Sequence, residues 1–413
     1  MSRRSLCGRS LAASAAALLP FPLPAAGVFT GGAPRLRVGL VGCGGRGTGA
    51  ALQCLESEPT ATVVALGDLF ADQLGSSADL LERAGGRRFD CPVERRFVGS
   101  DAYRGVIDSG VDVVLLAGPP HVRPLHLEAA VAAGKHVYCE RPVAVDVDGV
   151  VRAAAAAAAS RAAGLALVSG FCFRRDRQLG ELAARVRDGG IGRLLSARAH
   201  AAIGLPWRRS VEDASASSRA IRNWISYTRF SGGYFVEHHA EALDRLLWLF
   251  GDERPVAAEP LWHGPSASSA PGGSAPGRGD RVARPIGGFG DCQSGVAVRY
   301  HFADGATLEA SIDRRERARD HVVEDVSGTE GRCDLLGRSI AGRTVWAAGA
   351  APRPNRHRAA VTALLEGVVS GRHPHDGRIL CQSTLVAVMG RHASETGSRV
   401  AWEEFVTSPR SPA

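Results

Sequence analysis

Apolar and polar positions divide the chain into two stretches of different rhythm. In the first, short continuous apolar runs alternate with helical ones: Leu36-Arg37-Val38-Gly39-Leu40-Val41, Ala61 to Leu66 ending at Gly67-Asp68, Val111 to Ala117, and Val137-Tyr138-Cys139 after Gly134-Lys135-His136. Runs that are apolar throughout and bounded by glycine predict strands buried on both faces; with helices between them they predict an α/β, doubly wound parallel sheet. An alanine-rich helix over about 148–163 closes this stretch, and the rhythm then changes. Strands are expected over 165–173 and 194–201, a helix over 179–189, and a hairpin from 296–302 to 307–312 across Ala303-Asp304-Gly305. This second stretch reads as an α+β domain with a largely antiparallel open sheet, the strand over 165–173 being its first. The apolar stripes of two late helices, over about 358–370 and 379–396, mark core packing.

Composition alters the picture at three points. A length of 413 residues suits two domains better than one. The formal charge of +8 comes from arginines scattered among carboxylates, with no basic run interleaved with aromatics, so no nucleic-acid partner is expected. Lys135 is the only lysine among 50 basic residues, and the nine cysteines are dispersed without metal-ligand spacing, so they read as buried small apolar residues. Residues 1–30 read as a Tat-type export signal: Arg3-Arg4, a short apolar segment from Leu11 to Leu19, then Pro22 to Gly27. That segment is too short to span a membrane comfortably, and nothing later resembles a transmembrane helix. Residues 264–290, rich in Gly, Ser and Pro, read as an insertion, and 406–413 as a tail.

The candidate chemistry gathers at the ends of the first-domain strands. Gly42-Cys43-Gly44-Gly45-Arg46-Gly47 follows one strand and opens a helix, the context in which G-x-G-x-x-G cradles a pyrophosphate. Asp68, 21 residues after Gly47, suits an adenosine ribose diol and would repel a 2′-phosphate, which favours NAD over NADP. Its structural alternative is an N-cap of the next helix. Gly118-Pro119-Pro120-His121 and Glu140-Arg141-Pro142 end two further strands on the same side. His121 and Tyr138 read as lining the nicotinamide pocket or packing structurally, and Arg174 and Arg175 as substrate contacts or solvated surface charges. A metal at His238 and His239 is not expected, because their spacing is wrong for a helical histidine pair.

These motifs, with Gly232-Gly233 before a helix ending at Asp244, resemble the glucose-fructose oxidoreductase, inositol dehydrogenase and MocA (Gfo/Idh/MocA) family. Arg222-Asn223-Trp224 and Val236-Glu237-His238-His239 resemble its exported branch. The resemblance implies a Rossmann domain over 35–155 and a substrate-binding domain over 156–405. It also implies hydride exchange between nicotinamide and a carbohydrate-like hydroxyl or keto group, and assembly as a homo-oligomer. The family pattern has lysine in Glu-Lys-Pro, and an acidic residue followed four positions later by histidine. Here those positions are Arg141, Glu237 and Glu241, so only the acid is kept in kind. Arginine cannot exchange a proton as a tuned lysine can, yet it can hold an oxyanion. Glu237 and Glu241, expected at i and i+4 on one helical face, would raise one another's proton affinity, with Glu241 as base and Arg141 as oxyanion holder. An inactive site closed by an Arg141–Glu241 salt bridge stands beside this reading, and so does redox-neutral, NAD-dependent glycoside cleavage. Folding before Tat export would carry NAD out as a bound prosthetic group, giving a periplasmic or otherwise exported protein.

Overall fold

The computed structural model describes residues 35–210, 215–262, 289–315, 320–349 and 355–407. The expected export signal over 1–30, nearly all of the 264–290 insertion and the last residues of the tail lie outside them. Six strands form a parallel sheet: β1 (Leu36–Val41), β2 (Ala61–Asp68), β3 (Arg96–Val98), β4 (Val113–Leu116), β5 (His136–Cys139) and β6 (Leu167–Ser169), in the order β3-β2-β1-β4-β5-β6. The apolar runs explain it. Val38, Leu40, Val63, Val113 to Leu116 and Val137 to Cys139 are buried because helices cover both faces. Strand order reverses between β1 and β4, so the loops after those strands diverge and leave a crevice, where a doubly wound sheet binds its ligand.

One expectation is corrected here. The stretch over 165–173 does not begin the second domain; Leu167–Ser169 within it pair in parallel with β5 and form the sixth strand of the first sheet.

The second sheet has nine strands: β7 (Leu194–Gly204), β8 (Ala257–Trp262), β9 (Gly295–His301), β10 (Thr307–Arg315), β11 (His321–Gly328), β12 (Gly331–Asp334), β13 (Ser339–Gly342), β14 (Trp346–Ala347) and β15 (Val400–Ala401). All neighbours are antiparallel except β7 and β10. Burial alternates along β10: Leu308, Ala310 and Ile312 face the helices, while Glu309, Ser311 and Asp313 face outward. The hairpin between β9 and β10 forms as its turn residues predict, and Gly305 adopts a positive φ of 87°. The helices Ala240–Leu249 and Gly377–Thr396 pack together on the inner face of this sheet. The eight cysteines among the described residues are buried and free, and none of the described helices is long and apolar enough to cross a membrane.

Candidate active site

The glycines of the loop after β1 are of two kinds. Gly42 takes a φ of 96°, and a β-carbon there would overlap the backbone of Gly118 after β4. A side chain at Gly47 would overlap the carbonyl oxygen of Gly42, so the helix Gly45–Ser57 could not approach the strand. Gly44 and Gly45 differ, for a β-carbon on either meets nothing within 4 Å. Their backbone is bare where the helix begins, and Gly44, the N-cap, has no side chain to occupy the free N–H groups. Two tight contacts with an open, bare-backbone edge between them form a pyrophosphate cradle, so the residues present fit a dinucleotide.

Asp68 turns its carboxylate into this loop: one oxygen accepts from the Cys43 N–H at 2.7 Å and the other from the Phe70 N–H at 2.8 Å. It is not a helix cap, since the next helix, Ala71–Gly85, is capped by Phe70 without a side-chain bond. Burial pushes its pKa up despite those two hydrogen bonds. Across the crevice Arg123, which sequence reasoning missed, lies buried and donates to the carbonyls of Gly118 at 2.8 Å and Pro142 at 2.5 Å. It fastens the loops after β4 and β5 together, beside Pro119. An arginine immediately before a helix-starting proline was the only signal of it. The His121 ring lies 4.8 Å from that of Phe230, tilted by 51°, and burial lowers its pKa, keeping it neutral.

Glu140 is a buried hub. It accepts from the Tyr138 hydroxyl at 2.9 Å and lies 3.2 Å from Nε of Arg46, without the alignment of a hydrogen bond. Tyr138 is fully buried, which settles its two readings in favour of packing. Arg141 follows and leans the other way, toward the second domain. Its Nη1 donates to the Glu237 carbonyl oxygen at 2.6 Å and lies 3.7 Å from that residue's carboxylate, and its Nη2 donates to Glu241 at 3.2 Å.

The segment opposite Arg141 departs from the expected helix. Gly232, left-handed at a φ of 79°, ends the short helix Thr228–Ser231, and Phe235–His239 then forms a π-turn before the α-helix Ala240–Leu249. Glu237 and Glu241 therefore do not share one regular α-helix, although both carboxylates reach Arg141. Wider π-turns are common at functional sites, and here the Glu237 carbonyl is turned to the guanidinium. His239 points to the sheet, its Nε2 3.1 Å from the Ala199 carbonyl oxygen.

The two carboxylates are tuned apart. Burial raises the Glu237 pKa to about 7, against the pull of Arg141. At Glu241 burial acts in the same sense, but Arg141 and Arg245 outweigh it and hold the pKa below the ordinary range. Mutual repulsion, the expected cause, contributes less at Glu237 than burial or the charges of Arg141, Arg123 and Glu140. Burial opposes the charge on Arg141, yet Glu241, Glu237 and Glu140 raise its pKa. Arg245 continues the network, reaching Glu324 of β11 through Nε at 2.7 Å. Neither was expected, although a glutamate at a core-facing strand position was a readable anomaly.

Arg174 and Arg175 have neither of their expected roles. Arg174 is clasped by Asp244 at 2.8 Å and Asp252 at 2.6 Å, and Arg175 by Asp376 at 2.6 Å, so both serve the packing around the site.

Residues 36–166 match a family model for the Gfo/Idh/MocA oxidoreductase family, NAD-binding Rossmann fold. Inositol 2-dehydrogenase 4 of Saccharopolyspora erythraea is 31% identical over 240 residues, 58% of this chain and 60% of that protein. Levoglucosan dehydrogenase of Pseudarthrobacter phenanthrenivorans is 27% identical over 240 residues, 55% of this chain and 56% of that one. The chain thus spans less than two thirds of the length of these relatives. The crystal structure of aldose-aldose oxidoreductase from Caulobacter crescentus, complexed with glycerol, is alike in fold over 89% of this chain and 99% of that one, with a TM-score of 0.62 at 21% identity. Matched model and cradle geometry agree, and residues 36–166 form a Rossmann domain similar to the NAD-binding domain of the Gfo/Idh/MocA oxidoreductases.

Proposed function

We propose that the protein is an NAD-dependent oxidoreductase that exchanges hydride with a CH–OH group of a sugar or polyol. One observation carries this: a carboxylate tuned to about 7, Glu237, lies beside a permanently charged guanidinium, Arg141, at the carboxyl end of β5. The loop from Gly42 to Gly47, Asp68, and the turns at Gly118, Pro119, His121 and Glu140 would hold NAD, which supplies a hydride acceptor when bound. Glu237 accepts the substrate hydroxyl proton, since its pKa lies near working pH and Oε2 has no partner among the described residues. Arg141 stabilises developing alkoxide charge. Glu241, held ionised, is its fixed counter-ion rather than the base expected from sequence. The test is to purify the folded protein, identify any bound nucleotide, and follow reduced-nicotinamide absorbance as a panel of sugars is added. Reduction by at least one sugar is expected, and absence of nucleotide binding would sink the cofactor argument.

The 3.2 Å contact between Arg141 and Glu241 favours a second reading, a dinucleotide-binding protein whose site is closed by an ion pair. Activity that appears only in Arg141→Lys/Glu241→His would establish it. In the leading reading the chain leaves the cytoplasm folded by the Tat route, supported by Arg3-Arg4 and the apolar segment behind them; replacing both arginines by lysine should block export in a fractionation assay. Assembly as a homo-oligomer through the outer face of the open sheet completes the reading, and light scattering in solution checks it.

A further inference from the structure

Four arginines among the described residues are buried: Arg123, Arg245, Arg314 and Arg338. Arg245 is neutralised by Glu324 and Arg338 by Asp176, while Arg123 spends its donors on two backbone carbonyls. Arg314, 4% exposed, has neither arrangement. Only its Nη1 is engaged, by the Gly204 carbonyl oxygen; Nε and Nη2 meet no acceptor among the described residues, and none of the described carboxylates forms an ion pair with it, although Asp320 acts on it from further off. An unpaired buried cation is costly, and burial pushes this one down to about 10.

The location gives the exception its meaning. Arg314 lies near the end of β10, beside Ile203 of β7, with its guanidinium carbon 5.1 Å from the ring centre of Tyr234. Tyr234 opens the π-turn that carries Glu237 and His238, and β10 packs against that turn. Two more buried polar atoms on the turn have no partner among the described residues: Oε2 of Glu237 and Nε2 of His238. Burial, then Arg314 and Arg141, keep His238 neutral, so it does not compete for an anion's counter-charge. A guanidinium with two unengaged donors therefore lies against the same turn as the proton acceptor. Nε and Nη2 form the side-on edge of a guanidinium, whose parallel N–H bonds match a carboxylate. A sugar hydroxyl would satisfy one donor and leave the charge uncompensated.

We propose that Arg314 anchors a substrate carboxylate, so that the substrate is a sugar acid, a uronate or aldonate, whose reacting hydroxyl is presented to Glu237. This rests on the oxidoreductase reading above. The carboxylate takes Nε and Nη2 of Arg314 and fixes which hydroxyl lies at the proton acceptor, making Arg314 a specificity-determining residue.

The test compares glucuronate, glucose and glucose 6-phosphate on the full-length, NAD-loaded protein. For wild type the kcat/KM ratio of glucuronate to glucose is expected at about 10- to 100-fold, the range of a hydrogen-bonded charge pair. It should collapse toward one in Arg314→Gln, and Arg314→Lys, which keeps charge but loses the fork, should fall between. A wild-type preference for glucose or glucose 6-phosphate, or a preference for glucuronate that survives Arg314→Gln, would overturn the proposal. Calorimetric binding of the same three compounds separates this from the activity itself. Glucuronate binding that is lost in Arg314→Gln, without turnover of any sugar, would uphold the carboxylate site while the oxidoreductase reading fails; equal or absent binding of all three to wild type would overturn it.

Discussion

The cradle for the dinucleotide and the cluster around Arg141 face the same crevice but are made of different material. The cradle is backbone. Gly42 and Gly47 are needed because a side chain at either would overlap main-chain atoms, and Gly44 and Gly45 expose N–H groups because they have no side chain. The cluster is side chain, assembled from Arg141, Glu237, Glu241 and Arg245, with Arg141 reaching partners 96 and 100 residues away. A backbone site is specified by spacing within a few residues and leaves side-chain chemistry free to vary around it. A side-chain site can exchange residue types, and this one holds arginine and glutamate where the resembled family pattern has lysine and histidine, which puts a carboxylate where that pattern has an imidazole.

The largest effect that would sharpen this contrast belongs to the cluster. Glu237→Gln removes the proton acceptor and keeps its shape, so kcat for sugar oxidation should fall by about 10²–10⁴-fold. The pH profile adds a second readout. Because the ionised form accepts the proton, wild-type kcat/KM should rise with pH and level off above about 7, and Glu237→Gln should lose that limb. A profile with the same limb in the variant would assign the titration to another group. Next in size is Arg141→Met, which leaves Glu237 and Glu241 without their shared cation. Removing one partner from a buried network costs about 3–5 kcal/mol, to be measured by urea unfolding. A loss under about 1 kcal/mol would mean that the carboxylates are solvated and that the cluster is not one electrostatic unit.

The cradle breaks differently. Gly47→Ala should cost about 1–3 kcal/mol of stability, because its β-carbon must displace the Gly42 carbonyl, and NAD binding should weaken with it. Gly44→Ala meets open space, so stability should stay within about 0.5 kcal/mol while NAD affinity falls in a fluorescence titration. If both variants lose stability equally, the division between packing glycines and ligand-facing glycines is wrong.

The same contrast decides what could be read in advance. The parallel sheet, the glycine loop and Asp68 were legible because continuous apolar runs and local spacing carry them. β6 was assigned to the wrong sheet, since a strand of three residues has no periodicity to say which sheet it joins. Arg174 and Arg175 were unreadable because Asp244, Asp252 and Asp376 come from far along the chain. Glu237 and Glu241 were found by their positions in the family pattern, but the division of labour between them was not. It depends on Arg245, which lies beside Glu241, and on the π-turn, which Gly232-Gly233 does not announce.

The smallest predicted effect lies where the two kinds of construction meet. Arg222, on the second-domain helix Ala216–Arg222, donates to both oxygens of Asp72 at 2.8 Å and covers the Phe70 ring at 3.9 Å, next to Asp68. It is a side-chain clasp laid over a backbone cradle. Asp72 is 58% exposed, so solvent screens the pair and its contribution should be only about 0.2–1 kcal/mol. Arg222→Met keeps much of the apolar cover over Phe70 while removing the charge. Its stability deficit in urea should therefore be small at low ionic strength and shrink further at 1 M salt, where screening acts within about 3 Å. A deficit that salt does not reduce would mean that the stacked ring, not the ion pair, joins the second domain to the adenosine end of the cradle.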